Sequence, residues 1–205
     1  MKNYRDPGAA GQAAASTVQD SAMELFQTAA MLLGQEQEAV SVVEEVVAAV
    51  ESDPCADPLT AHRETREQVI AASLRRLAHD SRGGLDAGVA AGDISPSSCI
   101  ESDDLSASGL TPKQLEGLIE GPGSRLRGWL DQLSPALRAV FVLRAVLGQG
   151  NLAAADALRE SGSTGAEGWT ATKVSLVFRQ ALCSLANSLV HAGAAELPAG
   201  NAAQS

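Results

Sequence analysis

Between Leu130 and Leu189 the chain carries two apolar stripes at helical spacing, and a chain built on that pattern must fold as packed helices. In the first, Leu130, Leu133, Leu137, Val140, Phe141 and Leu147 recur along one face, and Ser134-Pro135 supplies a capping hydroxyl with proline at the first helical position. In the second, Val174, Val177, Phe178, Ala181, Leu182, Leu185 and Leu189 line about five turns. Thr170 is placed to cap that helix and Gly193 to end it. Between the stripes, residues 151–158 (Asn-Leu-Ala-Ala-Ala-Asp-Ala-Leu) read as a short helix, and Gly162-Ser163-Thr164-Gly165 as a turn. Helix, short helix, turn and long helix is helix-turn-helix order.

The front half reads as a second, smaller bundle. Residues 1–19, rich in Gly, Ala, Gln and Ser, suggest a disordered lead-in. From Asp20 the pattern turns helical, with Leu25, Phe26, Ala29 and Leu33 on one face and Gly34 as the stop. A second helix is expected over 36–51, with Val40, Val43, Val47 and Val50 inward and Glu36, Glu44 and Glu51 outward. Asp57-Pro58 then starts a third, running to His79, with Val69, Ile70, Leu74 and Leu77 inside and Arg63, Arg66, Arg75 and Arg76 outside. The expected organisation is all-α: a helical domain over 20–80, a flexible linker with one short helix over 81–123, a helix-turn-helix domain over 124–192 and a tail over 193–205. Aromatics at only 3% fit an all-α chain better than a β architecture.

Charge is unevenly spread. Residues 1–57 hold two basic groups against ten acidic, a net of −8, while residues 134–205 hold five against four, a net of +1. An acidic front half cannot grip phosphates, because such binding draws on Lys and Arg. No apolar run reaches membrane-spanning length and no basic-then-apolar leader opens the chain, so a cytoplasmic protein without a membrane partner is expected. Cys55, Cys99 and Cys183 lack metal-ligand spacing and are odd in number, which predicts free thiols and no metal. His62, His79 and His191 stand in separate helices, and no phosphate loop or nucleophile-base pair occurs, so neither catalysis nor a cofactor is expected. Trp129 and Trp169 are expected to anchor the C-terminal domain.

Several stretches in order resemble the extracytoplasmic-function sigma factors, bacterial transcription-initiation proteins. The run from Leu133 to Arg144 (Leu-Ser-Pro-Ala-Leu-Arg-Ala-Val-Phe-Val-Leu-Arg), then Ala154-Ala155-Asp156-Ala157-Leu158, then Arg179-Gln180-Ala181-Leu182-Cys183-Ser184-Leu185, resembles the family's region 4. Leu33-Gly34 followed by Ala39-Val40-Ser41-Val42-Val43-Glu44-Glu45-Val46-Val47 resembles region 2. The resemblance implies two helical domains that bind core RNA polymerase and promoter DNA. It places Glu44 and Glu45 at the position that docks on the polymerase clamp. It also puts Ser175, Val177 and Gln180 where the family has lysine and two arginines, so the implied DNA-binding residues are Lys173, Arg179, Gln180 and Ser175, with Arg75 and Arg76 from the front domain.

Two departures set the alternative. No aromatic lies between Phe26 and Trp129, where the family stacks promoter bases, and the recognition helix has few cations. A sigma-like protein that has lost promoter binding and acts through protein contacts, for instance by occupying an anti-sigma factor, accounts for both. A helical scaffold outside transcription would keep the stripes but leaves the order of the two sigma-like halves unexplained.

Overall fold

The computed structural model describes residues 7–50, 57–80, 84–86, 88, 125–162 and 165–195, with side chains described except at 7–18, 125–126, 187 and 189–195. Among the described residues all regular structure is helical, which establishes the all-α class. The helices are α1 (Pro7–Leu33), α2 (Glu36–Ala49), α3 (Pro58–Asp80), α4 (Arg125–Gln132), α5 (Pro135–Phe141), α6 (Asn151–Glu160) and α7 (Ala171–Ala195). A π-helical segment (Val142–Val146) continues α5, and a 3-10 turn (Ala166–Gly168) precedes α7. No helix among the described residues is long and apolar enough to cross a membrane. The chain divides into two compact units, Met1–Arg76 and Leu77–Ser205.

In the first unit α1 begins at Pro7, well upstream of Asp20, and runs through most of the stretch read as a disordered lead-in. Alanine at positions 9, 10 and 13–15 has the highest helix propensity, and Pro7 suits the first helical position, so local preference carries the helix back. The other end is as expected: Gly34 adopts φ +78° and its N–H bonds to the Ala30 carbonyl, closing the helix. Leu25, Ala29, Leu32 and Leu33 of α1 and Val69, Ile70 and Leu74 of α3 are buried, and Asp57 caps α3 through the Thr60 N–H at 3.0 Å.

The valine face of α2 lies elsewhere than expected. Ala39, Val42 and Val46 are buried against α1, whereas Val40 is 37% and Val47 54% exposed. Valines at 40, 42, 43, 46, 47 and 50 surround the helix, so composition alone leaves its rotation undetermined. The contacts with α1 decide it.

In the second unit α7 packs on both α5 and α6. Leu130, Leu133, Leu137, Val140, Phe141, Val174, Val177, Ala181, Leu182 and Leu185 are all buried there. Ser134 holds the N-cap position of α5, yet its hydroxyl makes no cap bond. Thr170 does cap α7, accepting from the Lys173 N–H at 3.2 Å. Gly193 does not end α7, which continues to Ala195. Cys183 is buried and disulfide-bonded, against the expectation of a free thiol; its partner falls outside the described residues. Spacing cannot reveal such a bond, which depends only on distance in the fold. The short helix expected after Thr111-Pro112 also falls outside the described residues.

Candidate functional site

Two surfaces carry the residues singled out from the sequence, one in each unit. On α2 the residues Glu36, Val40, Glu44 and Val47 follow helical spacing along one side, opposite the Ala39-Val42-Val46 seam packed on α1. Glu44 and Val47 are exposed, and among the described residues Glu44 makes no ion pair. Glu45, its neighbour, faces α3: Arg76 donates to Glu38 at 3.4 Å and to Glu45 at 3.5 Å. The two glutamates that the resemblance treats as one docking pair therefore sit in different surroundings: Glu45 lies beside Arg76 of α3, whereas Glu44 makes no ion pair among the described residues. Val40 and Val47, expected in the core, join Glu44 on that outer face instead.

The same geometry separates Arg75 from Arg76. Arg75 is exposed, while Arg76 is held by the two glutamates of α2. A second ion cluster ties α1 to α3, where Glu24 lies 3.2 Å from His62 Nε2 and 3.2 Å from Arg66 Nε. Pairs this exposed each contribute about 0–1 kcal/mol.

In the second unit the residues that the resemblance places at DNA, Lys173, Ser175, Arg179 and Gln180, lie on α7. Its first turns expose Thr172 and Leu176, the latter 47% exposed, while Lys173, Ser175, Arg179 and Gln180 are half-buried. The buried Oε1 of Gln180 lacks a partner. Behind this face stands an aromatic cluster: Trp129 meets Phe141 edge-on at 4.9 Å between centroids, and Phe141 lies 6.2 Å from Phe178. The Trp129 indole donates to Ser184 Oγ at 3.1 Å, which joins α4 to α7.

The cations of this unit are largely committed inside it. Arg138, on α5, is buried, and burial lowers its pKa with Asp131 pushing back. Arg144 sits 5.2 Å from the Phe178 ring centre and donates to the Gln149 carbonyl; desolvation lowers its pKa too. That bond helps close the π-helical segment, where Leu147 N–H reaches Val142 O at 2.9 Å and Gln149 N–H reaches Leu143 O at 3.0 Å. Gly148, at φ +64°, makes the reversal. Arg159 pairs with Asp156 one turn earlier. Of the five cations from Arg138 onward, Lys173 and Arg179 make no side-chain ion pair among the described residues.

The turn into α7 is built from an unexpected source. Trp169 is fully buried, and its indole donates to the backbone carbonyl of Leu85 at 2.5 Å. Leu85 is itself fully buried, although the stretch around it reads as flexible linker. Asp86 lies over Gly165, whose φ is +78°: a Cβ there would stand 2.7 Å from the Asp86 carboxyl carbon. Asp86 also accepts the Gly88 N–H at 2.6 Å. A single leucine among glycines has no period to announce it, so only the tertiary contact reveals it. Among the described residues no group of His, Cys, Asp and Glu is placed to hold a metal. The chain matches no known protein family, no curated protein and no solved structure.

Proposed function

We propose that this is a sigma-like transcription protein that works mainly through protein contacts, with the outer face of α2 as its docking surface. The observation that carries the reading is the Val40-Glu44-Val47 face, where two exposed valines flank a glutamate that makes no ion pair among the described residues. An apolar strip centred on one acidic group suits a partner helix that presents aliphatic side chains around a cation. The partners proposed are core RNA polymerase and, on the mimic reading, an anti-sigma factor. The scarcity of uncommitted cations behind α7 favours contact with protein over contact with phosphate. A binding role without catalysis or cofactor, in the cytoplasm, belongs to the same proposal.

A second reading, sequence-specific promoter binding, is favoured by the packing of α6 and α7 and by the Thr170 cap that fixes the start of α7. Lys173 and Arg179, with Ser175 and Gln180, would then be the groove-facing residues, and Arg75 a further phosphate contact from the first unit.

The test uses the full chain. Biolayer interferometry against core RNA polymerase and against a panel of anti-sigma factors should give saturable binding to at least one of them. Glu44→Lys with Val47→Ser should weaken it about tenfold or more with helicity unchanged. Glu45→Gln should have a smaller effect. No binding to any of them removes the protein-contact reading. Binding that the α2 variants leave intact moves the surface elsewhere. Fluorescence anisotropy with duplex DNA at low salt addresses the second reading, with a shallow dependence of log affinity on log salt of about −0.9 per phosphate contacted.

A further inference from the structure

Residues 84–86 belong to no helix, yet Leu85 is fully buried and its backbone carbonyl accepts the Trp169 indole N–H at the turn that starts α7. Leu85 is the sole large apolar residue between Leu77 and Val89. Its neighbour Gly84 adopts φ +55°, so the chain bends into the contact without a side chain on that flank. On the other flank the Asp86 carboxylate occupies the space that a glycine at position 165 leaves open. The socket thus has three parts, the Trp169 indole, the Gly165 backbone and the turn between them.

We propose that residues 84–86 form a reversible latch on this turn, with Leu85 as the bolt, and that its withdrawal uncovers Trp169 and frees the approach to α7 while the helices stay folded. The balance of forces makes the contact reversible. Burial of one leucine and one hydrogen bond holds the segment, and the conformational freedom of a glycine-containing stretch opposes it. Trp129 is the contrast within the same unit: carried on α4, it is held by Phe141 of α5 and Ser184 of α7, so freeing it requires helices to part. Trp169 requires only that a short segment lift away.

The latch gives a distant part of the sequence a hold on the recognition helix. Trp169 stands two residues before α7, and its hydrogen-bond partner lies 84 positions earlier. A partner or a change in the chain that draws Leu85 out would loosen the turn and leave the aromatic cluster in place. This holds whether α7 meets protein or DNA.

The two indole N–H groups of the full chain make the test. Nuclear magnetic resonance distinguishes them, with Trp129→Phe providing the assignment, and hydrogen exchange reads how each opens. In the unaltered protein the Trp169 indole should exchange about tenfold or more faster than the slowest amides of α7. Leu85→Ala should accelerate it about tenfold again, with the Trp129 indole unchanged. Gly165→Ala should do the same from the other side, and this effect should shrink when Asp86→Ala has removed the clashing carboxylate. Should Leu85→Ala fail to fold, the Gly165 and Asp86 variants and the unaltered protein still decide the matter. Exchange of the Trp169 indole only together with the slowest α7 amides, or equal acceleration of both indoles, would overturn the latch and make residues 84–86 a fixed part of the core.

Discussion

The two units bury their apolar residues under different rules. The first packs small and aliphatic side chains, Ala29, Ala39, Val42 and Leu74 among them, and joins its helices at the surface through Glu24, Arg66, Arg76 and Glu45. The second is built on aromatics whose polar atoms have named partners: Trp129 with Ser184, Trp169 with the Leu85 carbonyl. An aliphatic seam is tolerant, because one valine fills a space much as the next does. An indole that must satisfy its N–H accepts one place only. The difference teaches where each unit is specified, in the first by which valines α1 covers, in the second by hydrogen bonds reaching into the core.

The strongest way to break that contrast is to delete an aromatic. Phe141 is fully buried between Trp129 and Phe178, so Phe141→Ala should destabilise the second unit by about 3–5 kcal/mol. The loss is read as faster hydrogen exchange at the core amides of α7. A cost near 1 kcal/mol would mean that the cluster repacks freely, and the second unit would then be as tolerant as the first.

Arg138 tests the contrast with the opposite sign. It is a buried guanidinium, 9% exposed, whose Nε has no hydrogen-bond partner and whose opposing charge, Asp131, is itself exposed. Replacing such a group by an apolar one of similar length is neutral or stabilising, so Arg138→Met should raise stability by about 0–2 kcal/mol in urea titration. Because an arginine side chain stays protonated throughout that range, the gain should be constant between about pH 5 and 9. A loss of about 3 kcal/mol or more would show instead that Arg138 holds a polar contact the core depends on.

Much of this architecture is legible in the chain. The single stripe from Val174 to Leu185 has polar residues on its other side, so one rotation of α7 buries it and the sequence states which. α2 has valines all round, and only its contact with α1 selects Ala39, Val42 and Val46. Glu44 and Glu45 are both exposed on α2, but the ion pair that sets Glu45 apart depends on Arg76, 31 residues beyond Glu45. Leu85 and the Trp169 socket had no local signal, since the residues between Leu77 and Val89 hold one large apolar side chain and no periodicity. Alanine propensity in residues 9–15 was there to be read, and the glycines and serine beside it argued the other way.

The smallest effect sharpens the comparison most, because it tests whether the first unit's ion pairs organise the helices or only decorate them. Arg76 is 36% exposed and reaches Glu38 and Glu45 at 3.4 and 3.5 Å, long for charge-assisted hydrogen bonds. Glu45 is 71% exposed, so water and salt screen the pair. A double-mutant cycle of Arg76→Ala and Glu45→Ala should therefore give a coupling of about 0–0.5 kcal/mol, smaller still when salt is raised to about 0.5 M. The helices would then be held by Val69, Ile70 and Leu74, with the charges fixing little beyond which way Glu45 points. A coupling above about 1 kcal/mol would instead make Arg76 a fastener between α2 and α3. In that case Glu45 would be tied to α3, and the docking face proposed on α2 would narrow to Glu44 with its two valines.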